Sequence, residues 1–451
     1  MTTIARARAP QPSRPRLLQA MVDAFGQPDV RQKLLYTIGL LVVFRFVAHV
    51  PIPGVNPDLL DQAFQNNAIL GFLDLFSGGA LRQLSVAAMG VYPYISASIV
   101  MNLLIPIVPS LTALSREGEQ GRQRIQLYTH YLAVPMALVQ GYSQLIILEQ
   151  AGAVSGVGFT GPDALPTISA VISMTAGTMF LVWIGELITE NGIGNGISLI
   201  IFSGIVAGAP TLIPNILNSN AGLFGLIILL GAGVLVLASI VFMQEAQRRV
   251  PVQYARSVFR SGRMYRQSGQ SHIPLRVNSA GMIPIIFAFS IVIFPPFVAD
   301  FLRNQVESGW IVTASDFVVD WFSPQTQAAS PVFMATIFVL VVVFTFFYTL
   351  VIDQQQNLAE NLQKNGGFIP GIRPGRPTAE YIMRVLVRIT WAGAIFLGIV
   401  AILPYMATSF LDIQSLRISS SGLIIVVGVV LDTMRQLEAQ LMMRNYEGFI
   451  R

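Results

Sequence analysis

Gly90-Val91-Tyr92-Pro93-Tyr94-Ile95-Ser96-Ala97 and Gly281-Met282-Ile283-Pro284-Ile285-Ile286-Phe287-Ala288 are near-copies that share the pattern G-x-x-P-x-I-x-A. Each lies in a long apolar segment, the second and the seventh of ten, so the two cross a bilayer in opposite directions. Proline-interrupted segments at matching places in two inverted halves point to a pathway between the halves. Two ordinary proline-bearing membrane helices would also fit the motif taken alone.

The composition makes this a membrane chain. Charged residues are 11% of the 451 and the hydrophobic class 53%, whereas soluble chains average roughly a quarter charged residues. Apolar runs of spanning length recur at about 34–50, 86–108, 125–148, 166–188, 195–214, 222–243, 277–298, 331–352, 385–405 and 418–434. The expected fold is an all-α integral membrane protein with ten transmembrane helices in two inverted, pseudo-symmetric halves, 34–215 and 216–438. A tail over 439–451 follows. Residues 1–33 are basic and proline-rich without a separate apolar core, and read as a cytoplasmic extension, not a cleavable signal. Arginines crowd the even-numbered loops and both ends, while the opposite side holds Arg82, Arg303 and Arg417 among acids such as Asp58, Asp163, Asp316 and Asp320. Basic loops resist translocation, so both termini are expected inside.

Segment 69–85 departs from a plain span. It is apolar, but Gly78-Gly79 breaks it before it crosses. It reads as a short half-inserted helix on the outer side or as an amphipathic surface helix. Two inner loops are long, about 244–276 and 353–384. The first reads as a solvated arginine-rich arm. In the second, the glycines and prolines of Gly366–Gly375 fix a rigid turn with Arg373 at its tip. Such positive surfaces suit an acidic partner, either RNA or an acidic protein face, and charge alone does not choose between them.

The familiar motifs of catalysis are missing. There is no cysteine, neither lysine (Lys33, Lys364) follows a phosphate-binding glycine run, and His49, His130 and His272 show no metal spacing. No catalytic residue, metal or cofactor is expected. The spans lack the mid-membrane charges that bind coupling ions; Arg45 lies toward the outer end of the first span and reads as a snorkelling or paired structural charge, not a ligand. The two repeated helices are uncharged, and Val91 and Ile95 face one way on theirs. These aliphatics suit packing, lipid contact or an apolar constriction. A secondary transporter and an intramembrane enzyme are the competing classes. The first needs a small polar site at mid-depth, the second a convergent nucleophile and base.

Longer motifs then carry a resemblance: Phe44-Arg45 leading to Val50-Pro51-Ile52-Pro53-Gly54, Met89 to Ser98, Thr189 to Ser198, Gln247-Arg248-Arg249, Leu275 to Gly281, and Phe368 to Gly375. In these the chain resembles the SecY family of protein-translocating channels over essentially its whole length. The resemblance implies an hourglass channel that passes unfolded preproteins across the membrane. It also implies sideways release of hydrophobic segments through a gate between spans 2–3 and 7–8. The family's pore ring falls on Val91, Ile95, Ile201, Ile286 and Ile425. The family's plug, at about 70–83, falls on Gly71, Phe72, Leu73, Asp74, Leu75, Phe76, Ser77, Gly78 and Gly79. Polar gate positions map to Asn102 and Asn278, expected to act as paired amides, and docking positions to Arg248, Arg249, Arg263 and Arg373. Implied partners are the SecE and SecG subunits, the SecA motor ATPase, the ribosome with its nascent chain, signal sequences, membrane lipids, YidC and SecDF. The implied location is the bacterial cytoplasmic membrane, with the thylakoid membrane as alternative. Three places depart from the family pattern. Val91 replaces a commoner isoleucine and implies a slightly wider ring. Asn102 is shorter than the frequent glutamine. Asp353-Gln354-Gln355-Gln356 is an unusual entry to the last large loop.

Overall fold

The computed structural model describes residues 27–52, 60, 70, 74, 77–150, 152–154, 156–159, 161–217, 222–260, 263–281, 283–305, 309–322, 331–356, 358–411 and 415–447. Helices occupy each of the ten expected apolar segments. They are α1 (Pro28–Val47), α2 (Tyr92–Leu104), α4 (Glu119–Gln150), α5 (Ala164–Asn191), α6 (Gly196–Leu217), α7 (Gly222–Glu245), α8 (Ile283–Gln305), α10 (Pro331–Gln356), α12 (Arg376–Leu411) and α13 (Ser415–Glu447). Shorter helices lie between them: α3 (Pro109–Arg116), α9 (Trp310–Phe322) and α11 (Leu358–Lys364). Among the described residues, four helices are long and apolar enough to cross a membrane unaided, namely α4, α5, α10 and α12. Joining α2 to α3 across their 101° bend gives a fifth.

The bend has a local cause. Proline disfavours helical backbone in the residue before it and has no N–H for the helix ladder, and Pro106 and Pro109 follow α2 within five residues. The helix therefore stops at Leu104, short of the expected 108. Its start is also displaced, from 86 to Tyr92. The repeated motif explains this at both copies. Gly90 has φ +57° and Gly281 φ +66°, a left-handed conformation that favours glycine. Each precedes a helix with proline in its first turn, a position where the missing N–H costs nothing. The two copies thus share backbone geometry as well as residues.

The arm expected as a solvated loop is instead a β-hairpin. β1 (Gln247–Arg260) pairs antiparallel with β2 (Arg263–Arg276) from Gln247↔Arg276 to Arg260↔Arg263. A short β3 (Gly367–Phe368) adds to β1 through Gln253↔Phe368, giving the order β2-β1-β3. The physical reason is period-two burial: Val250 and Val252 are buried while Arg249 and Pro251 between and beside them are exposed. The buried face packs with Leu275, Leu362, Ile369, Ile382 and Leu386 in a separate small core. That core also draws α12 past its apolar span, so the helix begins at Arg376 instead of 385.

The main core is one continuous apolar cluster that draws on helices of both halves. Two seams join the halves beyond their α6–α7 junction. On one side α2 and α4 meet α8, and on the other α6 packs on α13.

Candidate functional site

The five aliphatics expected at the waist come from four helices. Val91 is the residue capping the start of α2, Ile95 lies one turn into it, Ile201 is on α6, Ile286 on α8 and Ile425 on α13. All five are at most 7% exposed, and all belong to the main apolar cluster. Two elements of each half therefore contribute to it, with no charged side chain among them.

Of the nine residues assigned to the plug, Gly71, Phe72, Leu73, Leu75 and Phe76 lie outside the described residues. Asp74, Ser77, Gly78 and Gly79 form the base of the segment, which is closely tied down. The Arg45 guanidinium donates to the carbonyl oxygens of Gly78 at 3.1 Å, Ser203 at 2.8 Å and Gly204 at 3.3 Å. It thus clips the base to α6, two residues from Ile201, through backbone carbonyls and not through a countercharge. The backbones of Gly78 and Gly204 touch so closely that a Cβ on Gly204 would collide with the Gly78 backbone. Next to this clip, Arg82 Nε meets Asp74 Oδ2 at 3.1 Å. Ser77 Oγ donates to the Asp74 carbonyl oxygen at 2.9 Å and accepts from the Leu81 N–H at 3.1 Å. Ser85, whose Oγ donates to the Ala80 carbonyl oxygen, forms an isolated bridge with Pro51.

The amides assigned to the gate are not paired with each other. Asn102 on α2 donates to Tyr348 Oη on α10 at 3.1 Å, and to Ser98 Oγ at 3.4 Å. Asn278 precedes α8, is buried, and donates to the Gly281 carbonyl oxygen three residues on at 3.0 Å. The late start of α8 leaves Asn278 in a turn, where its amide closes that turn instead of reaching α2. The seam has a second polar tie, from Tyr92 Oη to the Ser290 carbonyl oxygen at 3.2 Å. The sequence reading assigned no gate role to Tyr348 or Tyr92, though a hydroxyl in an otherwise apolar span is a readable signal. Interhelical hydrogen bonds in membranes contribute about 0.5–2 kcal/mol. Asn102→Leu and Tyr348→Phe are therefore each expected to favour separation of α2 from α10 by about 2- to 30-fold. Because they break one bond, the double variant should add little to either. Titrating signal hydrophobicity against insertion efficiency measures this, and unchanged thresholds in both single variants would remove the latch.

The opposite seam is held differently. The Gly194 N–H donates to Gln436 Oε1 at 3.0 Å, and Ile193 packs with Val30 and Leu437. Between α4 and α5, His130 Nε2 lies 2.7 Å from Glu186 Oε1, which also accepts from Gln126. No group of three or more His, Asp or Glu that could hold a metal occurs among the described residues.

The basic positions divide into separate places. Arg248 and Arg249 are exposed at the start of β1, and Arg263 stands at the far end of the hairpin. Arg260, the partner of Arg263, lies eleven residue steps along β1 from Arg249, roughly 37 Å at ~3.4 Å per residue. The turn bearing Arg373 lies against the near part of the hairpin. Pro370 and Arg249 share the lining of an open depression of about 460 Å³ with Gln253 and His272. Arg249 therefore lies beside the turn that carries Arg373, whereas Arg263 is at the far end of the hairpin.

Comparison with known proteins identifies the family and the fold. Residues 85–434 match the model of the SecY family. The protein translocase subunit SecY of Streptomyces coelicolor is 42% identical over 451 residues, covering 96% of this chain and 100% of that protein. Two solved structures share the fold at 16% identity, with 90% of this chain and 91% of each of theirs covered. One is a SecY channel described by its plug domain, which stabilizes the closed state and maintains a membrane seal (TM-score 0.63). The other is Sec61 in the canine ribosome-channel complex from the endoplasmic reticulum (TM-score 0.59).

Proposed function

The chain belongs to the SecY family, and from that premise we propose that its polypeptide path runs through the waist formed by Val91, Ile95, Ile201, Ile286 and Ile425. Protein translocation through a channel is the function it shares with that non-enzymatic family. The observation that supports the finer reading is that five uncharged aliphatics, from two helices of each half, are all buried in the main apolar core that the halves share.

The chemistry of the waist suits an indiscriminate conduit. Aliphatic side chains offer no fixed polar site that would select one substrate. They present ions and water with a desolvation barrier, and they part and close around a chain of any sequence. A hydrophobic signal segment arriving there is driven out through the α2–α8 seam into lipid, at roughly 25 cal/mol per Å² of apolar surface removed from water. Segment 70–83, clipped to α6 at its base, closes the path from outside. The chain supplies no nucleotide site of P-loop type, so direction comes from a partner or from the membrane potential.

The excess of arginine in the inner loops supports a bacterial cytoplasmic-membrane location with both ends inside. The exposed Arg249 and Arg373 support an acidic docking partner, the SecA motor or the ribosome, and a solved structure of the same fold is a ribosome-channel complex. SecE and SecG complete the assembly in this reading.

The decisive experiment uses the absence of native cysteine. Single cysteines at Ile95, Ile201, Ile286 and Ile425 are each expected to form a disulfide with a cysteine in a stalled secretory chain. Cysteines at the lipid-exposed Val339 or Val343 of α10 should not. Crosslinks to the α10 positions with none at the four others would place the path elsewhere.

A further inference from the structure

Helix α9 has a face that channel function does not use. Plotting Trp310-Ile-Val-Thr-Ala-Ser-Asp-Phe-Val-Val-Asp-Trp-Phe322 at 100° per residue divides the helix into three sides. Trp310, Ala314, Phe317 and Trp321 fall on one side, at i, i+4, i+7 and i+11, and all four are exposed. The three aromatics are 80%, 58% and 43% accessible, and the Phe317 and Trp321 rings are 5.7 Å apart. Asp316 and Asp320 fall on a second side. The third carries the buried Ser315, and the helix packs against α8 and α10.

A helix wrapped by water would not be expected to present a row of two tryptophans and a phenylalanine. A helix buried in lipid would not carry two aspartates beside that row. One environment satisfies both faces, the boundary where an amphipathic ring meets headgroups and a carboxylate stays wet. The helix that α9 packs against also exposes large apolar side chains, Phe294 and Leu302 of α8, as a surface facing lipid would. We propose that α9 lies in the headgroup layer of the bilayer with Trp310, Phe317 and Trp321 directed toward the acyl chains, anchoring the end of α8 at that depth. The occupant of this face is therefore lipid. The aspartates give anionic headgroups no attraction, so zwitterionic lipid suffices. The inference rests on the membrane reading of the chain and adds to it a depth and an attachment point for the helix that carries Ile286.

The chain has four tryptophans, which allows the two readings to be separated. The variant W183F/W391F leaves only Trp310 and Trp321. The full chain with its co-purifying subunits is placed in phosphatidylcholine vesicles brominated either near the glycerol end or near the chain terminus. Shallow bromines are expected to remove about half of the emission, and deep bromines clearly less, as suits rings at the interface. Emission that ignores both lipids and is fully quenched by aqueous acrylamide overturns the proposal. So does quenching that rises with protein-to-lipid ratio in unbrominated vesicles, which would assign the face to a second copy. The companion variant W310F/W321F keeps Trp183 and Trp391 within α5 and α12. If brominated lipid fails to quench these as well, the membrane reading itself falls; if they alone are quenched, only the placement of α9 does.

Discussion

Deleting residues 70–83 is expected to turn a closed membrane protein into a steady ion leak. The base of that segment is tied to the body by Arg45, which holds the carbonyls of Gly78, Ser203 and Gly204 together. The deletion removes Gly78, the Asp74–Arg82 ion pair and the Ser77 hydrogen bonds in one step. What remains against ion flow is the aliphatic waist alone. An unpaired ion in an apolar constriction costs several kcal/mol, and with the segment supplying ~4 kcal/mol of the closed channel's barrier on top of the waist, its loss raises flux by about 10³-fold. Single-channel recording in planar bilayers reads this directly, and a silent, intact deletion variant would show that the segment seals nothing. Gly204→Ala is the graded form. Its methyl group meets the Gly78 backbone, so it should unseat the base while leaving the segment present, giving brief openings instead of a steady leak.

The helical, apolar character of the chain was legible in the sequence because apolar length acts over whole segments. The repeated Gly-x-x-Pro motif was legible at the level of residues, and its meaning for the backbone, positive φ at Gly90 and Gly281 before a proline-started helix, is local too. What the sequence concealed was tertiary. Arg45 announced itself as a snorkelling or paired charge, but its partners are backbone carbonyls at Gly78, Ser203 and Gly204, and carbonyls leave no signature in a side-chain pattern. Asn102 pairs with Tyr348, 246 residues away, and not with Asn278. The error arose from the start of α8, since a helix beginning at 277 would have brought Asn278 nearer to the seam. The hairpin was missed for another reason. Its arginines drew attention to charge, while the alternation of Val250 and Val252 with exposed neighbours was a strand signal on the page.

The hairpin matters because it braces the last prediction. Charge reversal at Arg373 is expected to abolish motor-driven export without disturbing assembly. The turn that carries it is built to hold one shape. Gly367 and Phe368 pair with β1, Ile369 is buried in the small core beneath the sheet, and the Ile372 N–H closes the turn onto the Ile369 carbonyl oxygen at 3.0 Å. Thr378 at the start of α12 then donates to the carbonyl oxygen of Arg373 itself at 2.9 Å. The backbone at the tip is thus fixed from both sides, while the side chain is exposed. A fixed backbone under a free guanidinium spends little ordering entropy on binding. No hydrogen bond or ion pair of the Arg373 side chain is seen among the described residues, so Arg373→Glu should leave the fold and its subunit contacts intact. At an interface, removing one member of a close charge pair costs about 2–5 kcal/mol, and reversal adds repulsion, so affinity for an acidic motor surface should fall by about 30-fold or more. The loss should shrink at high salt, where the native attraction is itself screened. Co-purification of the other subunits together with ATP-driven uptake of a preprotein into vesicles separates assembly from docking. Normal uptake by a fully assembled Arg373→Glu complex would mean that the turn carrying Arg373 is not where the motor acts.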